Sequence, residues 1–246
     1  SVEGKNNDWR KGNWSRRLLE IDSQNIIATE TLMKIAINRR DEESALRYAE
    51  KLFSIDGSNK NALNYLINQK RISGEWGVVI SLCEILLENY PNDFFGLKTL
   101  AEAQTLEVDD RSLDTWSTVL EIGGLSDLEM IKIARNYYNS NEYKRVVSIL
   151  MGISEENRRE ENVLELLARS QYSLKDWEGC YSTCSELVSI FPENMIGLRL
   201  RMRSMKRMKN ADGTIISAKA ILESQQNDAE ALRNLIRSAA SISDWS

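Results

Sequence analysis

Four arginines recur at one interval in the C-terminal half of the chain: Arg135, Arg169, Arg203 and Arg237 each stand 34 residues from the next. Three residues beyond the first two lie Tyr138 and Tyr172, and Lys206 takes the same place after Arg203. Arg199 and Arg233 precede the last two arginines by four residues, and Arg207 follows Arg203 by four. A guanidinium offers a planar fork of donors that grips a carboxylate, phosphate or sulfate through two hydrogen bonds, which a lysine cannot match. Phenol rings add faces for a sugar, a base or a peptide group. If the fold stacks residues 34 apart, the set becomes a ladder with rungs about 10 Å apart, the ordinary helix-packing distance. An anionic ligand would relieve the repulsion among its rungs, so binding is expected to be salt-sensitive. The competing reading is a solvated face, with Glu165, four residues before Arg169, as a local partner. Nearer the N-terminus Asn61, Asn64 and Asn68 share one helical face and carry both donors and acceptors, which suits a peptide backbone.

Other chemistry finds little material. The chain has no histidine, no Gly-rich phosphate loop and no Gly-x-Ser-x-Gly elbow. Cys180 and Cys184 are four residues apart, but no further Cys or His in their neighbourhood completes a four-ligand set. Buried apolar packing accounts for them better than a metal or redox role. Acidic pairs such as Asp109-Asp110 and Glu155-Glu156 have the character of loops, and nothing marks one of them as a general acid. Met202, Met205 and Met208 read as core filler rather than a binding face. The chain is therefore expected to be non-catalytic and to hold no metal or cofactor.

Charge and compartment narrow the partners. Residues 1–126 carry 15 Lys/Arg against 20 Asp/Glu, a net of −5, whereas residues 127–246 carry 17 of each. Bulk charge does not make this a polyanion binder, so any such role must come from a local patch. No apolar run approaches the roughly 20 residues needed to span a bilayer. The polar N-terminus lacks a signal-peptide core, and three cysteines without a pairing framework suit a reducing, cytoplasmic setting.

The elements that must position these residues follow from a period. Glu20-Ile21-Asp22-Ser23-Gln24-Asn25 is echoed 34 residues later by Ser54-Ile55-Asp56-Gly57-Ser58-Asn59. Trp76 leads through Leu86 to Tyr90-Pro91-Asn92-Asp93, and Trp177 leads through Leu187 to Phe191-Pro192-Glu193-Asn194, 101 residues on. Self-similarity at this period marks stacked helix pairs, none of which buries its apolar face alone. The period divides the chain into repeats 26–59, 60–93, 94–126, 127–160, 161–194 and 195–228, between half repeats at 8–25 and 229–246. Inside repeats the apolar spacing is helical: Leu63, Leu66, Ile67 and Lys70 in a first helix, Val79, Leu82, Cys83 and Leu86 in a second. The turn between them falls near Ser73-Gly74-Glu75, where glycine ends a helix cheaply.

In the repeat at 161–194, Leu164, Leu167, Ala168, Trp177, Cys180, Leu187 and Pro192 fall where a known helical repeat asks for bulky, bulky, small, aromatic, small, small and proline. The repeat at 127–160 supplies Met130, Ile133, Ala134, Tyr143, Val146 and Ile153, and Trp245 stands at the aromatic place of a seventh repeat. The sequence thus resembles the tetratricopeptide repeat (TPR) family in divergent form. Met33, Ile67, Met202 and Ile236 depart from the small eighth position, and Arg201 from a bulky apolar one. The resemblance implies an all-α, right-handed α-solenoid of antiparallel helix pairs, forming a single solenoid domain over 1–246. The half repeats without capping helices suggest a segment of a longer protein. It also implies that positions two, five, nine, twelve and thirteen of each first helix point into a concave groove. All the residues named above as binding candidates occupy those positions. The Lys/Asn series by which some members clamp a terminal carboxylate is not met.

The expected function is a protein-interaction module that holds an extended anionic partner in this groove, an acidic peptide segment foremost. One alternative is the helical arm of a larger enzyme, such as a polymer-building glycosyltransferase, grasping an acidic polysaccharide. Single-stranded nucleic acid ranks last, because overall charge is negative and only two aromatics join the cations.

Overall fold

Helix starts recur with the period because each has an oxygen-bearing residue to satisfy its free backbone N–H groups. Asn25 accepts from the Ala28 N–H, Asn59 from Asn61 and Ala62, Asp93 from Gly96, and Asn194 from Gly197. Ser126 and Glu129 cap each other's backbone reciprocally, and Asp228 accepts from Ala231. Such a cap stabilises a helix by about 1 kcal/mol. Glu160 holds the equivalent place without a side-chain cap bond.

The computed structural model describes the backbone of residues 2–243 and the side chains of residues 9–242; Trp245 lies outside the described residues. The described residues fold into α-helices joined by short turns, in two compact units divided at Gly123 and Gly124. The first unit contains α1 (Val2–Ile21), α2 (Ile26–Arg39), α3 (Glu42–Ile55), α4 (Lys60–Ser73), α5 (Trp76–Asn89), α6 (Phe94–Leu106) and α7 (Ser112–Ile122). The second contains α8 (Asp127–Asn139), α9 (Tyr143–Gly152), the single turn α10 (Glu155–Arg158), α11 (Glu161–Ser173), α12 (Trp177–Ile190), α13 (Met195–Arg207), α14 (Ala211–Ser224) and α15 (Ala229–Ser243). Helix α1 begins well before residue 8, and α10 has no counterpart in the sequence reading.

Within each unit, helices adjacent in sequence pack together as hairpins. The turns between first and second helices share one device. Arg40, Gly74, Val108, Asn141, Lys175 and Lys209 all adopt φ between 56° and 74°. Only one of the six is a glycine; the others carry the left-handed strain of a Cβ, about 1 kcal/mol each. Pro91 and Pro192 each follow the last residue that closes a second helix, where a missing N–H costs nothing.

Apolar faces meet between the helices. In the first unit Leu52, Leu63, Ile67, Val79, Cys83 and Leu86 are fully buried in one cluster. In the second unit Ala168, Cys180 and Cys184 pack with Leu200, and Met202 with Leu198, Ala218 and Ile221. Met205 is also buried, so these methionines fill the core. Gly197 matters sterically: a Cβ there would come within 2.9 Å of Leu187 Cδ2, so α12 and α13 approach closely because it is absent. Hydrogen bonds inside the pairs repeat as well, Thr115 donating to Gln104 at 2.7 Å and Thr183 to Gln171 at 2.8 Å.

Candidate functional site

The candidate residues of the second unit lie on α8, α11, α13 and α15, the first helices of their pairs. Helix α11 touches both α8 and α13, which brings neighbouring rungs within side-chain reach. Arg135 and Arg169 are exposed, and no ion pair involves either among the described residues. Glu165 does not pair with Arg169 as the i,i+4 spacing suggests. It turns instead, with Glu161, to accept from the Asn194 side-chain amide at 2.6 and 2.7 Å. That amide belongs to the cap of α13, so the carboxylates are drawn toward a buried donor rather than a solvated one.

Farther along, the expectation of bare arginines needs correction. Arg203 is half-buried, and its Nε and Nη2 donate to the two carboxylate oxygens of Glu230, both at 2.7 Å. These hydrogen bonds hold the Glu230 carboxyl below its ordinary range and push Arg203 upward. Arg199 donates to Asp228 at 2.6 Å and to Gln225 at 3.3 Å. Lys206 donates to the Asn234 side-chain oxygen at 2.8 Å. Arg207 lies over the Trp177 ring, 5.8 Å from its centroid. Arg233 and Arg237 are exposed on α15. Tyr138 and Tyr172 are half-exposed, and each meets the first aromatic of its own second helix edge to face: Tyr143 at 5.4 Å and Trp177 at 5.1 Å.

These placements create an open depression of about 510 Å³, lined by Tyr172, Arg203, Lys206, Arg207, Lys209, Glu230 and Asn234. Sequence reasoning missed Lys209, Glu230 and Asn234. Glu230 was within reach, since it occupies position two of its first helix. Lys209 owes its place to the left-handed turn residue between α13 and α14, and no face periodicity points to it.

The asparagines of the first unit sit in a different setting. Asn61 donates to Glu30 at 2.7 Å, Asn68 accepts from Arg71 at 3.4 Å, and Arg71 pairs with Glu102 at 3.0 Å. The Asn64 side-chain oxygen is buried without a hydrogen-bond partner among the described residues. A second depression, about 550 Å³, is lined by Lys11, Trp14, Ser15, Thr31, Lys34, Ile35 and Asn38, and the sequence reading did not anticipate it.

The cysteines are buried. Desolvation pushes the Cys83 thiol up to about 12, and Cys184 is pushed up by its hydrogen bond with Cys180 and by burial. The sulfurs of Cys180 and Cys184 lie 3.9 Å apart. Among the described residues, no group of three or more Cys, Asp or Glu is placed to hold a metal ion, and no helix is long and apolar enough to cross a membrane.

No protein-family model matches the sequence, and no curated protein matches it. Solved structures do match. A chain from the structure of Naa15/Naa10 bound to HypK-THB aligns with a TM-score of 0.61 at 13% identity, covering 93% of this chain and 36% of its own length. YrrB, described as a TPR protein with an unusual peptide-binding site, aligns at 0.58 and 12% identity over 75% of this chain and 96% of YrrB. MamA aligns at 0.51 and 14% identity over 71% and 96%. The chain thus spans about a third of the Naa15/Naa10 chain it resembles. At these identities what is shared is the fold, a divergent TPR-like α-solenoid of helix pairs.

Proposed function

We propose that this chain is a protein-interaction module, and that the first-helix face of its second unit holds an extended acidic peptide. The carrying observation is the pair Arg135 and Arg169: 34 residues apart, exposed, and without an ion pair among the described residues. An exposed guanidinium whose nearest sequence partner is committed elsewhere is available to a carboxylate from outside. Arg203 belongs to the same column but is occupied by Glu230, so its part is to stiffen the face. Two structures of like fold are described in matching terms, YrrB by its peptide-binding site and Naa15/Naa10 by its bound HypK-THB.

The test is fluorescence anisotropy with a labelled 12-residue Asp/Glu-rich peptide at low and high salt. Binding is expected to weaken as salt rises, and Arg135→Ala with Arg169→Ala is expected to weaken it about tenfold, the worth of one or two charge-assisted hydrogen bonds. Unchanged affinity in the double variant would reduce this face to solvated charge.

A further inference from the structure

We infer that the depression between α11, α13 and α15 is a phosphate-monoester site, taking a phosphorylated side chain of the bound peptide. This inference rests on the peptide-binding reading above and adds the chemistry of one subsite to it. Four cations and one carboxylate line the depression. The carboxylate, Glu230, has both oxygens engaged by Arg203, so that pair is nearly self-compensated. Arg199 lies close enough to lower the Glu230 carboxyl further, while its own guanidinium engages Asp228. What remains is the charge of Lys206, Arg207 and Lys209.

Each of the three has donors to spare. Lys206 commits one ammonium hydrogen to Asn234, which aims the group and leaves two free. Arg207 is held by its face against Trp177, and a stacked guanidinium keeps its N–H edge available. Lys209 is carried to the rim by the left-handed turn at φ 57°. The Tyr172 hydroxyl is on the same wall, and its ring is fixed by Trp177. A carboxylate brings one charge and two oxygens to this arrangement. A phosphate monoester brings nearly two charges and three terminal oxygens, enough to engage all three cations at once.

The experiment compares three labelled 12-residue peptides, identical except for serine, glutamate or phosphoserine at the centre of an Asp/Glu-rich sequence. The phosphoserine peptide is expected to bind about tenfold tighter than the glutamate peptide at pH 7.5. That advantage should shrink below about pH 6, where the phosphate takes up its second proton. Arg207→Gln with Lys209→Gln, both exposed, should reduce the phosphoserine peptide to the level of the glutamate peptide. Lys219→Gln, an exposed lysine on the second helix α14, should leave the preference intact. Phosphoserine and glutamate peptides binding within twofold of each other would overturn the phosphate site while leaving the acidic-peptide reading in place. Failure of all three to bind would overturn both. A 12-nucleotide oligouridylate that outcompetes the phosphopeptide through Arg207 and Lys209 would reassign the depression to nucleic acid.

Discussion

Two units built on one repeat carry faces of opposite character. On the first-helix face of residues 2–123, charged and amide groups satisfy one another: Asn61 with Glu30, and Arg71 with both Asn68 and Glu102. Between them Ile27, Ile37, Ile72 and Leu106 are exposed. On the same face of residues 124–243, Arg135 and Arg169 stand exposed, and a depression keeps three cations after its one carboxylate is used. Helix positions that face the partner helix are constrained by packing, whereas those that face outward are free to diverge. Two surfaces therefore develop on one scaffold without cost to the core.

The comparison is open to attack first at its common element. Leu86 and Leu187 occupy the same repeat position, and both are fully buried. Leu86→Ala and Leu187→Ala should each lower stability by about 3 kcal/mol in chemical denaturation. A cost in one unit but not the other would break the claim of a shared core.

Binding should then separate the units. Asn61→Ala with Asn68→Ala is expected to leave acidic-peptide affinity unchanged, set against the tenfold loss from the paired arginine variant in the second unit. Equal losses would erase the distinction between the faces.

A smaller effect concerns pH. Glu230 is held below its ordinary value of 4.5, chiefly by its hydrogen bonds to Arg203. The stability it contributes is fully present above 4.5 and is lost as pH falls through the lower folded value. With Arg203 partly exposed, solvent screening limits this to about 1 kcal/mol or less. Glu230→Gln should flatten the corresponding part of an acid-unfolding curve, and an unaltered curve would remove the ion pair from the account.

The smallest effect sharpens the comparison at the turns. Val108 adopts φ 56° and is exposed, so Val108→Gly should raise the melting temperature slightly, by the equivalent of about 0.5 kcal/mol, without touching binding. Lys209→Gly relieves the same strain in the second unit but should weaken the phosphoserine peptide. The two glycines would thus separate scaffold from site.

Much of this architecture was legible in the residues. The 34-residue echo of Asn25, Asn59, Asp93 and Asn194 sets the helix starts, because a cap acts on N–H groups within three residues of itself. Leu63, Ile67, Val79 and Leu86 identify the core by helical periodicity alone. Cys180 and Cys184 belong to that core, as their apolar neighbourhood suggests.

What the periodicity did not reveal is which charges remain free. Arg169 and Arg203 occupy the same position, yet one is exposed and the other is clasped by Glu230 from 27 residues away. Glu165 has the spacing to neutralise Arg169 but is drawn to Asn194 instead. Local propensities and caps are short-range, so a sequence determines helices, turns and apolar faces on its own. The pairing of long side chains depends on which neighbouring helix presents a partner within about 3 Å, and only the tertiary structure decides that.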